Sequence, residues 1–404
     1  MNNALLYLGG LLVVMLAALF AVPHFIDWNG YRGIFEEEAT KVLGRDVRVG
    51  GGVNVRFLPT PYVKFEKVRI ADPTGQTGEP LVRIESFAMR LSGPALLRGV
   101  LEANEIELHK PILTLALDGQ GSGNWTSLQI KSGALPFVPS DVSLHSVRLI
   151  DGAVALFNSD AQPVGRADAI NGEFSAEAMR GPYKFKGKAL WGGEVREIRF
   201  STSALNTDGA FQIKAAVRAF ASDAAYTLDA RVDDLAHKPH LVGELSGKIP
   251  LRTVPLAGAS APTAKTTTAE VSESPVIDLK SRIDATTAGA KIDDIAMSVD
   301  NSAEPQLLNG AATAQFGRDA RLDMSLASKW LDLDRLAGAG TDGATFLKVK
   351  QLGLSLLKGL AGSGTAHARI DVDQVKLGGE TAGGLVIDAE RRGSAVPSHQ
   401  RPPI

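Results

Sequence analysis

Alternation of apolar and polar side chains recurs along most of this chain, and it leaves a β-sheet as the architecture. Tyr183, Phe185, Ala189 and Trp191 alternate with Lys184, Lys186 and Lys188. Phe211, Ile213, Ala215 and Val217 alternate with Gln212, Lys214 and Arg218. Tyr226, Leu228, Ala230 and Val232 alternate with Thr227, Asp229, Arg231 and Asp233. A period of two puts one set on each face of a strand. Further strands are expected at 53–58, 63–70, 81–91, 100–108 and 112–117, then at 276–284, 292–299, 307–316 and 320–327. A phase slip at Glu66-Lys67 marks a bulge. A weak echo joins Ile106-Glu107-Leu108…Leu113-Thr114-Leu115 to Val147-Arg148-Leu149…Val154-Ala155-Leu156. Each half reads as two strands meeting at a corner, with Lys110 in one and Asp151 in the other, as in a sheet grown by repeating hairpins.

Helical signals are confined to the ends of this pattern. Residues 4–22 carry no charge, and about 20 apolar residues suffice to cross roughly 30 Å of hydrocarbon. Leu, Val and Phe residues in this run supply roughly −4 kcal/mol towards insertion. The start, Met-Asn-Asn, lacks a basic region, and Leu19-Phe20-Ala21 is a poor cleavage site. An uncleaved anchor at 5–26 with a short end at 1–4 is therefore expected. Arg32, Lys41 and Arg45 follow it, but long downstream domains cross largely regardless of charge, so local charge leaves the sidedness open. Asn29 can cap a short helix over 30–43, which Gly44 ends in a left-handed conformation. One helical turn is expected at 94–98, carboxylates Asp332 and Asp334 sit near a helix start, and a helix is expected at 346–360, with Val349, Leu352, Leu356 and Leu360 on one stripe.

Composition excludes whole classes of chemistry. Lys+Arg 43 against Asp+Glu 45 gives a net charge of −2, without the basic excess that displaces counterions from nucleic acid. With Cys 0, disulfide scaffolds, thiolate metal sites and thiol nucleophiles are all absent. Gly119-Gln120-Gly121-Ser122-Gly123 lacks dinucleotide-loop spacing and precedes Asn124-Trp125 rather than a helix, so it reads as a hairpin turn. His237-Lys238-Pro239-His240 has metal-like spacing but no acidic cluster beside it. No zinc-protease, nucleophile-elbow or phosphate-loop motif occurs. The expectation is a protein that is not an enzyme and uses no cofactor or metal.

Low-complexity stretches suggest the organisation. Residues 253–275 form an Ala/Thr/Ser-rich linker that cannot bury enough apolar surface to order itself, and 131–140 carries Pro136 and Pro139. The expected segments are thus 27–130, 131–252 and 276–390, with a patternless tail at 391–404.

Across the first segment a set of short motifs occurs in order. Asp27-Trp28-Asn29-Gly30-Tyr31-Arg32 follows the apolar run, then come Leu43-Gly44-Arg45-Asp46-Val47-Arg48-Val49 and Phe57-Leu58-Pro59-Thr60-Pro61. Val68-Arg69-Ile70-Ala71-Asp72-Pro73-Thr74-Gly75, Leu96-Leu97-Arg98-Gly99 and Glu105-Ile106-Glu107-Leu108-His109-Lys110-Pro111 follow, and Asp118-Gly119-Gln120-Gly121-Ser122-Gly123-Asn124-Trp125 closes the series. In order and spacing the chain resembles the AsmA family of bacterial envelope proteins over 5–128, more diffusely over 142–250, and again over 322–390. In the last stretch Leu331-Asp332-Leu333-Asp334-Arg335-Leu336 and Val375-Lys376-Leu377-Gly378-Gly379 carry the likeness.

The residues alone leave two options for a long antiparallel sheet with one apolar face: a closed sandwich or an open trough. The resemblance implies the second, a curved, U-shaped sheet on an inner-membrane anchor, with its bulk in the periplasm and its concave face shielding phospholipid acyl chains. Polarity assigns Val55, Phe57, Phe65, Leu113, Leu115, Phe185, Phe211, Ile213, Val217, Tyr226, Leu228 and Val232 to that face. About twenty strands at roughly 4.8 Å give a trough of about 95 Å, too short to bridge both membranes alone. Either a further β region, normal in the family after this point, or a partner would complete it, and its absence here suggests a truncated form. The alternative is an anchored, non-enzymatic scaffold that binds outer-membrane assembly factors.

Overall fold

The computed structural model describes residues 26–56, 60–94, 103–118, 122–125, 144–177, 181–234, 239–250, 276–299, 306–316, 320–336 and 365–391, together with Tyr7, Gly10, Leu11, Val14 and Met15. Nineteen strands belong to one mixed sheet. In chain order they begin with β1 (Val47–Val49), β2 (Val53–Arg56), β3 (Tyr62–Ile70), β4 (Val82–Leu91), β5 (Ala103–His109) and β6 (Ile112–Ala116). Next come β7 (Leu144–Phe157), β8 (Pro163–Ala176), β9 (Tyr183–Trp191), β10 (Glu194–Thr202), β11 (Phe211–Ala219), β12 (Ala225–Asp233) and β13 (His240–Pro250). The series ends with β14 (Val276–Thr286), β15 (Gly289–Val299), β16 (Gln306–Gln315), β17 (Arg321–Asp332), β18 (Thr365–Leu377) and β19 (Glu380–Arg391). A 3-10 turn, Trp28–Tyr31, runs into α1 (Arg32–Leu43), and α2 (Leu333–Leu336) is a single turn. Two compact units divide the chain: Met1–Val217 with Val232–Pro239, and Arg218–Arg231 with His240–Ile404.

Several expectations lie outside the described residues: most of the anchor at 5–26, Phe57, His237, most of the turn at 94–98, both linkers, the helix at 346–360 and the tail from 392. Among the described residues no helix is long and apolar enough to cross a membrane.

In the first unit, Gly44 ends α1 at φ 64°, its N–H donating to the Thr40 carbonyl. The helix start differs from expectation. Asp27, not Asn29, accepts the first free backbone N–H, that of Asn29. Asn29 reaches instead to the sheet, where its Oδ1 accepts from Val53 N at 3.0 Å. Glu36 Oε1 accepts from Val49 N at 2.7 Å, and Thr40 Oγ1 from Val47 N at 3.0 Å. Because β1 and β2 both pair with β3, these side chains satisfy donors on an edge that could otherwise recruit another strand.

The sheet is mixed, where an antiparallel one was expected. β5 and β6 both run parallel to β7, and β17 runs parallel to β18. Alternation cannot distinguish the two orientations, since both have a period of two. Direction comes from the connection, and here long segments, 117–143 and 333–364, precede the parallel strands. The internal echo is this pairing itself: Ile106–Val147, Leu108–Leu149, Leu113–Val154 and Leu115–Leu156 are register partners. Its corners are left-handed residues, Lys110 at φ 47° and Asp151 at φ 55°, joined by Lys67 at 55° and Ala169 at 49°. Each sits where the apolar positions change parity, as from Val63 and Phe65 to Val68 and Ile70. An extra residue at each corner keeps the oily side chains on one face as the strands bend.

The polar face carries ion pairs at i and i+2, the spacing of one strand face: Lys64–Glu66, Arg166–Asp168, Lys291–Asp293 and Arg321–Asp323. Hydrogen bonds from the basic partners hold the Glu66 and Asp323 carboxyls below their usual range. Exposed pairs of this kind contribute little to stability.

In the second unit β13 to β19 pair in sequence. One face gathers Ile295, Val299, Leu308, Leu326, Leu331, Val372 and Val375 into a buried cluster, with Ile277, Leu279, Met297 and Ile370 packed beside it. Gly310 stands in register between Ile295 and Leu326. A Cβ there would lie 1.9 Å from the Ser325 carbonyl oxygen and 2.9 Å from Leu326 Cα. Backbone cannot step aside as a side-chain tip can, so Gly310→Ala is expected to destabilise the unit by about 2–3 kcal/mol. Hydrogen exchange across β16 and β17 should show the loss, and unchanged protection there would refute it.

Candidate functional site

Register partners in the first unit line up into apolar rows that cross the strands. One row runs Val55–Val63–Met89–Ile106–Val147 over β2, β3, β4, β5 and β7. It continues as Phe174–Phe185–Phe200 over β8, β9 and β10. At about 4.8 Å per strand this row is about 34 Å long. Beside it runs Val53–Phe65–Phe87–Leu108–Leu149, then Gly172–Gly187–Ile198. The two facing glycines leave a notch, and the Phe185 ring leans over it. Its Cζ would lie 2.9 Å from a Cβ on Gly172 and 2.7 Å from one on Gly187. Phe185 also stacks on Phe200 at 5.6 Å, and Phe174 on Tyr183 at 6.0 Å.

The two ends of the rows differ in cover. At the β1–β3 end, Trp28 and Phe35 pack on Val49, Val53, Val55, Val63 and Phe65, with Phe35 edge-on to Phe65 at 5.2 Å. Val55 and Phe65 therefore belong to a packed core under α1 rather than to an open trough. Parity placed them on the right face, but the covering helix was not visible from their strands. From β8 to β10 the situation changes: Phe174, Phe185 and Phe200 are only half-buried. Among the described residues of this unit, β9 packs substantially only on its sheet neighbours β8 and β10.

The other expected positions follow their strands. Leu113 and Leu115 on β6 are half-buried and pair with Val154 and Leu156. Phe211, Ile213 and Val217 are half-buried on β11, between exposed Gln212, Lys214 and Arg218. Val232 is buried, and in the second unit Tyr226 and Leu228 are half-buried on β12. The Tyr226 ring covers Gly247, coming within 3.0 Å of the place a Cβ would occupy. On the opposite, polar face of the first unit, a 450 Å³ pocket is lined by Tyr62, Lys64, Arg90, Glu105, Glu107 and His109. Two pairs among its lining charges are matched, Arg90 to Glu105 at 2.7 Å and His109 to Glu107.

The first unit also holds a buried polar knot. Arg45, 6% exposed, donates from Nη2 to the Asn124 carbonyl at 2.7 Å and from Nη1 to that of Ala71 at 3.4 Å. Burial lowers the pKa of this guanidinium, and the Asp72 charge opposes that shift. Asn124, 2% exposed, donates to Asp72 Oδ2 and to the Thr114 carbonyl, each at 3.0 Å, and accepts from Ala116 N at 3.1 Å. Just before it, Gly123 bridges to Leu117 and Ser122 N donates to Asp118 Oδ1; Gly119, Gln120 and Gly121, where a hairpin turn was expected, lie outside the described residues. Three motifs far apart in sequence, those of Arg45, Asp72 and Asn124, thus meet at one point. A profile of the AsmA family matches residues 2–272. The chain belongs to the AsmA family. No curated protein matches the chain in sequence.

AsmA-family membership brings an envelope-associated role in general, and the knot shows what the recurring motifs do physically. They lock the helix-bearing edge to the start of the parallel strands. The later motifs of this AsmA-family chain behave likewise. Asp334, expected at a helix start, does lie in the first turn of α2, and its carboxylate also accepts from Gly378 N at 2.7 Å and Gly379 N at 2.8 Å, in the β18–β19 turn. Both glycines have positive φ, 65° and 81°, which directs consecutive N–H groups at one carboxylate. Asp332 pairs with Lys376 at 3.6 Å, and its N–H donates to Gln306. His240, from the metal-like sequence, instead bonds Asp284 at 2.8 Å.

Proposed function

We propose that this AsmA-family chain is a non-enzymatic lipid carrier, anchored in the bacterial inner membrane by residues 5–26, with its sheet in the periplasm. Its apolar rows shield phospholipid acyl chains in transit during outer-membrane biogenesis. One observation carries the reading: the row from buried Val147 runs on through Phe174, Phe185 and Phe200, continuous in register, and these three rings are only half-buried. In a closed sandwich a facing sheet would bury such residues.

The energetics favour this use. An acyl chain drawn into water loses about 0.8 kcal/mol per CH₂. A trough that runs across the strands removes that barrier continuously. Beyond the end covered by α1, the row from Met89 to Phe200 is about 24 Å long, more than the roughly 15 Å that one acyl chain spans in half of the hydrocarbon core. A whole chain can therefore lie along it.

The test is a photoreactive residue at Phe211 or Leu228, activated in living cells. Phospholipid adducts are the expected result, absent when the probe replaces exposed Gln212. Adducts confined to outer-membrane assembly proteins would replace this reading with that of an anchored scaffold.

A further inference from the structure

At the β9–β10 hairpin the polarity of the two faces is exchanged. Leu190 and Val195, register partners, stand exposed on the otherwise charged face. Arg196 and Glu194 stand on the apolar one, in line with Ile198 and Phe200 along β10 and opposite Ala189 and Trp191. The register is confirmed by contact: the Arg196 guanidinium lies 5.2 Å from the centre of the Trp191 ring. Glu194 is Arg196's only ion-pair partner among the described residues, at 3.8 Å, beyond hydrogen-bond reach. Arg196 Nε is buried without any acceptor. A cation has thus been placed on an oily face, steadied by an indole, with one buried donor unfilled.

We infer that Arg196 is the headgroup site of the trough and takes the phosphate ester of a phospholipid whose acyl chain lies over Ile198, Phe200 and Phe185. This rests on the carrier reading above. The chemistry fits: a guanidinium offers a planar fork of donors matched to two phosphate oxygens, and it keeps its charge where a lysine would lose it. Stacking on Trp191 holds the fork at the hairpin end of the row, so the phosphate stays at the rim while the tail follows the phenylalanines inward. Arg196 also shares parity with Ile198 and Phe200, so its unusual face was already readable in Glu194-Val195-Arg196-Glu197-Ile198-Arg199-Phe200.

The experiment is native mass spectrometry of the full chain, offered phosphatidylglycerol or a diacylglycerol with the same acyl chains. The unaltered protein should favour the phospholipid about tenfold or more, the value of a charge-assisted contact. Arg196→Gln should lower phosphatidylglycerol occupancy to that of diacylglycerol, and Arg196→Lys should fall between. Diacylglycerol occupancy should be equal in all three proteins, which shows that the variants fold. Equal phosphatidylglycerol uptake by Arg196→Gln would overturn the headgroup assignment and leave the carrier reading intact. Failure of the unaltered chain to take up either lipid would overturn both. Displacement of the phospholipid by millimolar inorganic phosphate would reassign Arg196 to a free anion.

Discussion

Replacing Asn124 by alanine is expected to lower the unfolding free energy by about 3 kcal/mol, because one small side chain completes a buried network. Its Oδ1 accepts from Ala116 N at 3.1 Å, and its Nδ2 donates to Thr114 O and Asp72 Oδ2 at 3.0 Å each. Ala116 is 1% exposed, so water cannot replace the lost acceptor. A buried group left unpaired costs about 1–3 kcal/mol, more when charged, and Asp72 is the charge that opposes the desolvation of Arg45. Asn124→Asp should be no milder, since it removes both donors and sets a second carboxylate beside Asp72. The measurement is urea unfolding of the full chain in detergent, followed by tryptophan fluorescence. Ser122→Ala, just before it in the chain but bonded through its backbone N–H, should stay within about 0.5 kcal/mol. An equally small effect from Asn124→Ala would show that the three motifs converge without supporting one another.

The face of each strand was legible in the sequence, and its direction was not. Parity identified Phe185, Phe211, Ile213, Val217 and Leu228 as half-buried positions, and the slip at Lys67 appears as a left-handed residue at φ 55°. The likeness of Ile106-Glu107-Leu108 to Val147-Arg148-Leu149 was also visible. What it meant was not, because hairpin neighbours and parallel neighbours repeat with the same period. Only the return of the chain through 117–143 decides that these segments lie side by side. Contacts made by polar side chains over long sequence distances were the least legible. Asp334 between leucines fits a helix start, yet its partners, Gly378 and Gly379, lie on another turn. Asn29 fits a helix cap by type, yet Val53 N is its partner. Composition names the donor or acceptor, and the fold alone names the other end. The same limit separates Val55 from Phe185: both have the right parity, but only the packing of Trp28 and Phe35 shows that one is covered.

Phe185→Asp should reduce phospholipid transfer between vesicles by about a hundredfold while leaving the sheet intact. The ring stacks on Phe200 at 5.6 Å and leans over the Gly172–Gly187 notch, so it forms the floor of the row at its narrowest support. A carboxylate there stays hydrated and forces a passing acyl chain to leave contact over about four CH₂ groups. At about 0.8 kcal/mol each, that is about 3 kcal/mol, or two powers of ten in rate. Strand pairing should survive, because the half-buried site lets the new charge reach water. Lys186→Asp is the decisive comparison. It makes a larger change of charge one residue away, but on the polar face, between Glu173 and Arg199. Transfer by that variant should be nearly unchanged. Phe185→Leu, which keeps the floor apolar, should retain most of the rate. If Lys186→Asp stops transfer and Phe185→Asp does not, lipid travels on the charged face, and the apolar rows are only the inner side of an ordinary sheet.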